Sequence, residues 1–527
     1  MVTIGKNILE NLTTGMYSDS KVSYREYVQN ACDQIDKAIE QNIISSEDAL
    51  VDIYIDEEKR YISIRDNATG IPAKDFRKSL GDIANSDKEQ GKDKGFRGIG
   101  RLCGLAYCKT LKFTASAIGE TVASTMICDA EKMRSMLRDN KKYTIEEILS
   151  KIIKFDTKSE EANEHYFEVE LIEINKENTD LLDEKLVKEY LSFVAPVPYK
   201  NTFLFSDQIY NHASQIGYKI DEYTIQVNGE QVFKEYTTKL KEQSGNNLKN
   251  YDEIFRLEFK DFIDKQGNLI AWMWVGVSTF DKQIPEINAM RGLRLRQANI
   301  QIGDKEVFKE FFKEPRGYLY FVGEVFSVSK ELIANSQRNY FNENETRVVL
   351  EDMLKIYFYD VLTRLYTKSN DIKNAYKRHV ELLDKVTEFK DKSKKNNFVD
   401  KEEKQKLEFE IKEAKSKVEK ADRTLNNFSN SAVISSEAKA ILMEVKEKIG
   451  VKFNSSKIID QVEKTDITDV IKPKVPNKKG AGYAADALSK LDKRERKLVS
   501  KIWSIITNNA PKEVAEDLIE KIKEEFK

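Results

Sequence analysis

Residues 26–33 read EYVQNACD, and this stretch decides how the first part of the chain is interpreted. Glu26, Asn30 and Asp33 are spaced by four and three residues, so a helix places all three on one face. Apolar residues at helical spacing predict that this helix runs over residues 23–39. An amide oxygen is a suitable ligand for Mg²⁺, and a carboxylate can accept a proton from water. Taken alone, the pattern is also typical of a solvated helix face.

A second polar segment, residues 66–71, reads DNATGI and follows the second of two predicted strands, residues 50–55 and 61–65. A carboxylate at the end of a strand can accept a hydrogen bond from the exocyclic amine of adenine, whereas guanine presents an acceptor at that position. Asp66 is therefore a candidate for recognising the base. An ordinary Asp-Asn turn would give the same sequence.

A third segment, residues 95–102, reads GFRGIGRL. Its three glycines open a predicted helix and leave backbone N–H groups available to hold phosphate. The segment is not a Walker loop, because no Gly-Lys-Ser/Thr follows, and it lacks the glycine order of a dinucleotide-binding fingerprint.

In this order and spacing, the three segments resemble the Bergerat-fold ATPases, the superfamily of gyrase, heat-shock chaperone, histidine kinase and mismatch-repair ATPases (GHKL). Residues 16–33 are similar above all to the heat-shock chaperone and microrchidia branches. The resemblance covers about the first 175 residues. It implies an α/β sandwich that binds ATP and Mg²⁺.

The resemblance also implies roles for individual residues. Glu26 matches the general base and Asn30 the Mg²⁺ ligand, with Asp33 on the same face of the nucleotide-binding helix. Asp66 matches the residue that binds adenine, and Gly70 lies beside the base.

The glycine-rich segment matches the part of the family that holds the phosphates. Its expected nucleotide-binding residues are Gly95, Phe96, Arg97, Gly98, Ile99 and Gly100. The residues between Ile71 and Gly95 would form a mobile lid, and their polar composition agrees with that expectation.

Two positions depart from the family pattern. Ala68 stands where the family usually has glycine. Tyr166 and Phe167 stand where the family usually has a Gly-Thr pair, whose threonine reaches the adenine-binding aspartate. Thr121 or Thr125, on the preceding strand, could take over that contact.

A match in the second half of the chain extends the resemblance. Residues 334–338 read ANSQR and resemble the chaperone's Asn-x-Ser-Arg loop with one residue inserted. In two-domain members of the superfamily, a transducer domain donates a cation to the γ-phosphate, and Arg338 is the candidate for that catalytic role. A surface arginine in a turn is the alternative. Residues 291–296, RGLRLR, predict a strand with one basic face and one core face.

Composition limits the possible functions. Lys and Arg total 87 and Asp and Glu total 89 in 527 residues, a net charge of −2, so a globally basic nucleic-acid binder is excluded. No pair among the four cysteines is spaced C-x-x-C and the chain has three histidines, which argues against a zinc site and favours a reduced, cytoplasmic protein. No run of 18 apolar residues is present, so no membrane association is expected.

The predicted fold class is α+β with several domains. Two runs of apolar residues spaced by four and three, in residues 375–389 and 407–428, flank a polar turn and predict an antiparallel helical hairpin. The predicted domains are a GHKL ATP-binding domain (1–200), a transducer-like, ribosomal S5-like α/β domain (201–345) with a helix near 305–312, a helix and antiparallel coiled-coil hairpin (346–430), and a helical C-terminal region (431–527) with a linker near 451–482 and helices at about 483–508 and 512–526.

These features together predict a Mg²⁺-dependent ATPase that acts as an ATP-gated dimeric clamp. ATP would close the lid and join two copies of the chain, and Glu26 would activate water. The resemblance favours a microrchidia-like clamp with DNA as a candidate partner, and the coiled coil offers a surface for a protein partner. The alternatives are a chaperone-like remodeller and a nucleotide-gated scaffold that does not hydrolyse ATP, although the presence of Glu26 argues against the scaffold.

Overall fold

The computed structural model describes residues 5–13, 15, 19–81, 100–430, 434–454, 498–499, 502–503, 505–506 and 510–525. The chain divides into two compact units, residues 1–465 and 466–527. Helices and large sheets are both present, so the predicted α+β class is confirmed. Within the described ranges, none of the helices has both the length and the apolar character that crossing a bilayer requires.

The first sheet contains eight strands among the described residues. They are β1 (Leu50–Asp56), β2 (Tyr61–Asp66), β3 (Cys108–Ser116), β4 (Val122–Asp129), β5 (Ile153–Ser159), β6 (Tyr166–Ile174), β7 (Thr224–Val227) and β8 (Glu230–Gln231). Their spatial order is β5-β4-β3-β6-β2-β1-β7-β8. Neighbouring strands are antiparallel, except that β7 runs parallel to β1. The sheet therefore continues past residue 200, the predicted end of the first domain.

Helices cover one face of this sheet. They are α1 (Asn7–Thr13), α2 (Val22–Glu40), α3 (Ala73–Gly81), α4 (Ala130–Arg138), α5 (Ile145–Ile152) and α6 (Glu184–Val194). The next helix, α7 (Ser206–Gln215), packs through Ile209 and Ala213 into a different apolar cluster, which belongs to the second sheet described below. Helix α2 confirms the helix predicted from spacing, because Tyr24, Val28 and Ile35 recur on the face that packs into the core of the sheet.

The second sheet has five strands in the described part of the chain. After a two-stranded ribbon of β9 (Lys239–Ser244) and β10 (Asn247–Glu253) come β11 (Arg256–Ile263), β12 (Leu269–Val277), β13 (Gly292–Gln297), β14 (Ile300–Ile302) and β15 (Val322–Ser327), in the order β11-β12-β15-β13-β14. Separate apolar clusters cover its two faces. The second sheet is therefore buried on both sides.

Two details of the sequence prediction for this region are wrong. The helix expected near residues 305–312 is a single 3₁₀ turn, Lys309–Phe311, because Phe308 and Phe312 are spaced like helix residues but are both core side chains of an irregular segment. The basic face expected on residues 291–296 is buried, with Arg296 0% exposed. Its guanidinium is paired with Glu324 on β15, a partner that strand periodicity does not reveal.

The C-terminal part of the described chain is helical. Its helices are α8 (Glu345–Tyr357), α9 (Thr363–Lys394), α10 (Lys401–Asn430), α11 (Ser436–Lys452) and α12 (Lys512–Glu525), with a π-helical turn, Phe358–Leu362, between α8 and α9. Helix α12 begins directly after Pro511, as predicted. Most of the predicted linker near 451–482 and of the predicted helix at about 483–508 lies outside the described residues.

Helices α9 and α10 form the predicted antiparallel hairpin. Lys385 Nζ is 2.6 Å from Glu410 Oε2, and Lys392 Nζ is 2.8 Å from Glu403 Oε1, so residues further along α9 pair with earlier residues of α10. The base of the hairpin is not separate from the domain before it, because Tyr376 belongs to the apolar cluster that covers the second sheet. Any part of the hairpin that does not pack on the second sheet therefore begins beyond Tyr376 on α9.

Candidate functional site

Helix α2 carries the first group of predicted site residues. Glu26 and Asp33 are buried and Asn30 is half-buried, so the polar side of α2 faces the interior of the domain. Glu26 Oε1 lies 3.0 Å from Nη2 of the neighbouring Arg25. Burial of these polar groups is costly without partners, so the solvated-face interpretation does not apply.

Arg338 reaches the same carboxylate from the loop between β15 and α8. Its Nε atom lies 3.8 Å from Glu26 Oε1, and the two side chains are 11% and 10% exposed. The loop is held firmly, because the N–H of Gly303 donates to the Arg338 carbonyl over 2.8 Å. Arg338 has a φ of +54°, a conformation that is strained for a residue with a side chain and that often marks functional sites.

The glycine-rich segment is described only from Gly100 onward, and Gly95, Phe96, Arg97, Gly98 and Ile99 lie outside the described residues. Gly100 opens a 3₁₀ helix, Gly100–Ala106. A Cβ atom on Gly100 would lie 2.2 Å from Glu26 Oε2, so only glycine can occupy this position without displacing the carboxylate. The first part of the predicted lid forms α3, and its remainder lies outside the described residues.

Asp66 lies at the end of β2 on the core-facing side of the sheet and is 3% exposed. Burial raises the pKa of its carboxyl to about 7, while the backbone N–H groups of Ala68 and Phe167 and the charge of Arg65 act in the opposite direction. The Ala68 N–H donates to Asp66 Oδ1 over 3.1 Å. A buried carboxylate of this kind favours a ligand that donates a hydrogen bond to it.

The strand register shows what replaces the family's threonine. Phe167 on β6 lies directly opposite Asp66, so a phenyl ring occupies the expected hydroxyl position. Thr125 pairs with Thr114 on β3, which places it on the other face of the sheet, and Thr121 lies in an exposed turn. Neither of the two threonines considered from the sequence therefore adjoins Asp66.

Gly70 and His165 shape the loop that follows Asp66. Gly70 has a φ of +61°, and a Cβ atom there would lie 1.7 Å from the carbonyl oxygen of Ser116. Glycine is therefore required where this loop crosses the end of β3. His165 Nδ1 lies 2.7 Å from the Ala68 carbonyl oxygen and fixes the same loop from the side of β6.

Sequence reasoning missed two residues of the site, Arg25 and Tyr27. Arg25 contacts the Glu26 carboxylate, and it stands next to Glu26 in the sequence without any further signal. Tyr27 is one of the apolar residues at helical spacing that predict α2, but its hydroxyl bonds to the backbone of the 3₁₀ helix. A buried tyrosine needs a partner for its hydroxyl, and this is the signal that could have identified it.

No group of three or more His, Cys, Asp or Glu side chains suited to a metal ion occurs in the described part of the chain. Magnesium sites that act on nucleotides need fewer protein ligands, because the substrate phosphates and water fill the remaining positions. Asn30 lies one turn along α2 from Glu26 and offers one amide oxygen. The donor set thus fits a Mg²⁺ ion bound mainly through a nucleotide.

Comparison with known proteins gives the same picture for the first part of the chain. Residues 19–160 match the family model described as "Histidine kinase-, DNA gyrase B-, and HSP90-like ATPase". This range contains Glu26, Asn30, Asp66 and the glycine-rich segment.

Three curated relatives, all chaperone protein HtpG, are similar over a shorter stretch. The protein from Helicobacter hepaticus is 34% identical over 85 residues, which is 15% of this chain and 14% of the relative. The protein from Orientia tsutsugamushi is 31% identical over 93 residues, 16% of this chain and 15% of the relative. The protein from Nitratidesulfovibrio vulgaris is 33% identical over 93 residues, 16% of this chain and 14% of the relative. The chain therefore spans only a small part of the length of these relatives.

Proposed function

Residues 19–160 form a GHKL-type ATPase domain, and we propose that the whole chain is a Mg²⁺-dependent ATP hydrolase that works as an ATP-gated dimeric clamp. The observation that carries this proposal is the approach of Arg338 Nε to within 3.8 Å of Glu26 Oε1. It joins a cation of the second domain to the expected base of the first. Hydrolysis needs both groups at one point, whereas nucleotide binding alone does not.

At one end of the site, Asp66 would hold the adenine. Its ionised carboxylate would accept a hydrogen bond from the exocyclic amine, which guanine does not offer in that position. The positive φ of Gly70 keeps the following loop folded tightly over the end of β3, beside the base. This arrangement selects ATP over GTP.

At the phosphate end, Asn30 would hold Mg²⁺ and the backbone from Gly95 to Gly100 would meet the phosphates. When bound, Mg²⁺ neutralises part of the phosphate charge and orients the phosphate oxygens. Asp33, one turn further along α2, lies on the same helix face as Asn30 and would bind the nucleotide with it.

At the reacting end, Glu26 would orient a water molecule and take its proton as the water oxygen bonds to the γ-phosphorus. The bond from the γ-phosphorus to the bridging oxygen would break in the same step, so that ADP leaves and inorganic phosphate is formed. Arg338 would place a guanidinium against the phosphoryl oxygens and stabilise the charge that develops there. Because Gly100 has no side chain, its backbone lies close beside the Glu26 carboxylate. The chain's own residues thus supply the base, the cation and the backbone that lies against the carboxylate.

The partner of the clamp is a second copy of the chain, and its client is either DNA or another protein. A microrchidia-like clamp would act on DNA. The matches to chaperone protein HtpG favour a second candidate, a chaperone-like remodeller that acts on proteins. Arg296 is buried, so the basic face predicted on residues 291–296 does not support a DNA client. A nucleotide-gated scaffold without hydrolysis is the third candidate.

Turnover and stoichiometry measured together test the proposal. The wild-type chain should hydrolyse ATP with Mg²⁺, and light scattering should detect a dimer with a non-hydrolysable ATP analogue. Glu26→Ala should lose turnover by about 10²–10⁴-fold while still binding ATP. Equal turnover in Glu26→Ala would remove Glu26 from the role of base, and stimulation by DNA or by an unfolded protein would separate the two clients.

A further inference from the structure

We propose that Tyr27 is a positioning residue of this ATPase site, whose hydroxyl fastens the end of the glycine-rich segment to the helix that carries Glu26. The inference rests on the proposed ATP hydrolysis. Tyr27 does not touch the reacting atoms in this scheme, and it acts through the backbone of the 3₁₀ helix Gly100–Ala106.

The hydroxyl of Tyr27 makes two hydrogen bonds to that 3₁₀ helix. It donates to the carbonyl oxygen of Arg101 over 3.0 Å, and it accepts from the N–H of Gly104 over 3.0 Å. The side chain is only 3% exposed, so water does not compete for either bond. One side chain of α2 therefore satisfies a backbone acceptor and a backbone donor on the neighbouring segment.

Gly104 is shaped to receive this hydroxyl. A Cβ atom on Gly104 would lie 2.5 Å from the Tyr27 hydroxyl oxygen and 2.9 Å from Cδ1 of Leu111. A side chain at position 104 would thus push the segment away from α2. Tyr27 and Gly104 form a matched pair that sets the distance between the helix and the segment.

This distance matters because Gly100 is the immediate neighbour of Arg101. The Gly100 backbone passes so close to Glu26 that a Cβ atom there would lie 2.2 Å from Oε2. Release of the Arg101 carbonyl would let Gly100 move relative to the carboxylate. A shift of about 1 Å in a reacting group can lower a rate by about a hundredfold.

The adenine end of the site does not depend on this attachment. Asp66 is held by the backbone N–H groups of Ala68 and Phe167, which belong to the β2–α3 loop and to β6. Loss of the Tyr27 hydroxyl should therefore impair the phosphate end and leave the recognition of the base intact. A general loss of folding would impair both ends.

Tyr27→Phe tests the role, and Tyr24→Phe is its matched control. Tyr24 lies on the same helix, is buried, and donates its hydroxyl over 2.7 Å to the carbonyl of Leu181, which is not part of the 3₁₀ helix Gly100–Ala106. We expect kcat/KM for ATP to fall about tenfold or more in Tyr27→Phe, because two buried backbone groups lose their partner. The affinity for adenosine should match that of Tyr24→Phe, because neither variant changes the groups that hold Asp66.

A second variant uses the fit between the two residues. Gly104→Ala should lower ATP turnover in the wild-type chain, since its methyl group meets the hydroxyl. In the Tyr27→Phe chain the hydroxyl is gone, so the same Gly104→Ala change should cost less turnover. If the loss of turnover in the double variant equals the product of the losses in the two single variants, the proposed pairing of Tyr27 with Gly104 is overturned.

The possible outcomes distinguish the role of Tyr27 from the proposed ATP hydrolysis on which it rests. Wild-type chain without ATP turnover would overturn the proposed function, and this role with it. Wild-type turnover together with equal kcat/KM in Tyr27→Phe and Tyr24→Phe would overturn the positioning role alone. Parallel loss of adenosine and ATP affinity in Tyr27→Phe would also overturn it, because that pattern reports a structural residue.

Discussion

The affinity of the site for its nucleotide should fall as the pH is lowered from 8 to 6, because Asp66 must be ionised to accept a hydrogen bond from adenine. Burial raises the pKa of this carboxyl to about 7, against the opposing effects of the Ala68 and Phe167 N–H groups and of Arg65. The ionised fraction therefore changes most within the range where proteins are normally assayed. Protonation would place a hydroxyl donor opposite the donating amine of the base.

The size of the effect follows from the pKa. With a value of about 7, roughly nine-tenths of Asp66 is ionised at pH 8 and roughly one-tenth at pH 6. The apparent Kd varies inversely with the fraction of protein that is competent to bind. The Kd should therefore rise about eight- to tenfold between pH 8 and pH 6.

Adenosine is the ligand that isolates this effect, because the phosphates of ATP titrate in the same range and adenosine has none. Calorimetric titration of the wild-type chain at pH 6, 7 and 8 gives the slope. Asp66→Asn is the matched control, since its amide has similar size and no charge to titrate. It should bind adenosine more weakly than the wild type at pH 8, with a Kd independent of pH.

Two results would refute this reasoning. A wild-type Kd that stays constant from pH 6 to pH 8 would mean that the Asp66 carboxylate does not need to be ionised for binding. An equal slope in Asp66→Asn would mean that another group titrates. Unchanged affinity of Asp66→Asn at pH 8, with unchanged preference over guanosine, would remove Asp66 from base recognition altogether.

Three further predictions follow from the same site. Burial raises the pKa of Asp66 in the folded chain above its ordinary value of 3.8, so the stability that this group contributes is present below about pH 4 and is lost as the pH rises through about 7. Asp66→Asn should therefore unfold at a higher temperature than the wild type at pH 8, and thermal melts at pH 5 and pH 8 would check this. Arg338→Ala should lower kcat about a hundredfold or more with little change in ATP affinity, and a change in affinity alone would reassign it to ground-state binding. Gly100→Ala should lower kcat about a hundredfold, because the methyl group of the alanine would displace the Glu26 carboxylate. A steady-state assay of ATP hydrolysis would measure this.

Periodicity was sufficient to predict the elements on which the site is built. Helix α2 has one apolar residue every three or four positions, and β1 alternates buried Val51 and Ile53 with outward residues, so both were recognisable from local sequence. The spacing of Glu26 and Asn30 on α2, and the position of Asp66 directly after a strand, are equally local. Segments of this kind carry their signal within one or two turns of chain.

Contacts between distant segments could not be predicted in this way. Phe308 and Phe312 are four residues apart and resemble a helix stripe, but both fill the core beside α8 in an irregular segment. Arg296 alternates with apolar neighbours like a surface residue, yet Glu324 neutralises it in the interior. Tyr27 looked like one more apolar residue because the backbone groups that bind its hydroxyl lie more than seventy positions away.

A buried group of charges joins the first sheet to the second sheet, to which the Arg338 loop is attached. Glu324 on β15 accepts hydrogen bonds from Arg296 Nε on β13 over 2.7 Å and from Lys234 Nζ over 3.1 Å. Lys234 follows β8 of the first sheet, so this group ties the first sheet to the second.

Removal of one partner would leave a buried charge unpaired, at a cost of about 3–5 kcal/mol. The Arg338 loop is in turn bonded to Gly303, directly after β14 of the second sheet. The separation of Arg338 from Glu26 is therefore set by continuous buried contacts from β8 through β13–β15. A nucleotide that contacts both Glu26 and Arg338 would therefore not move the first sheet relative to the second. The motion of a clamp would have to arise elsewhere in the chain.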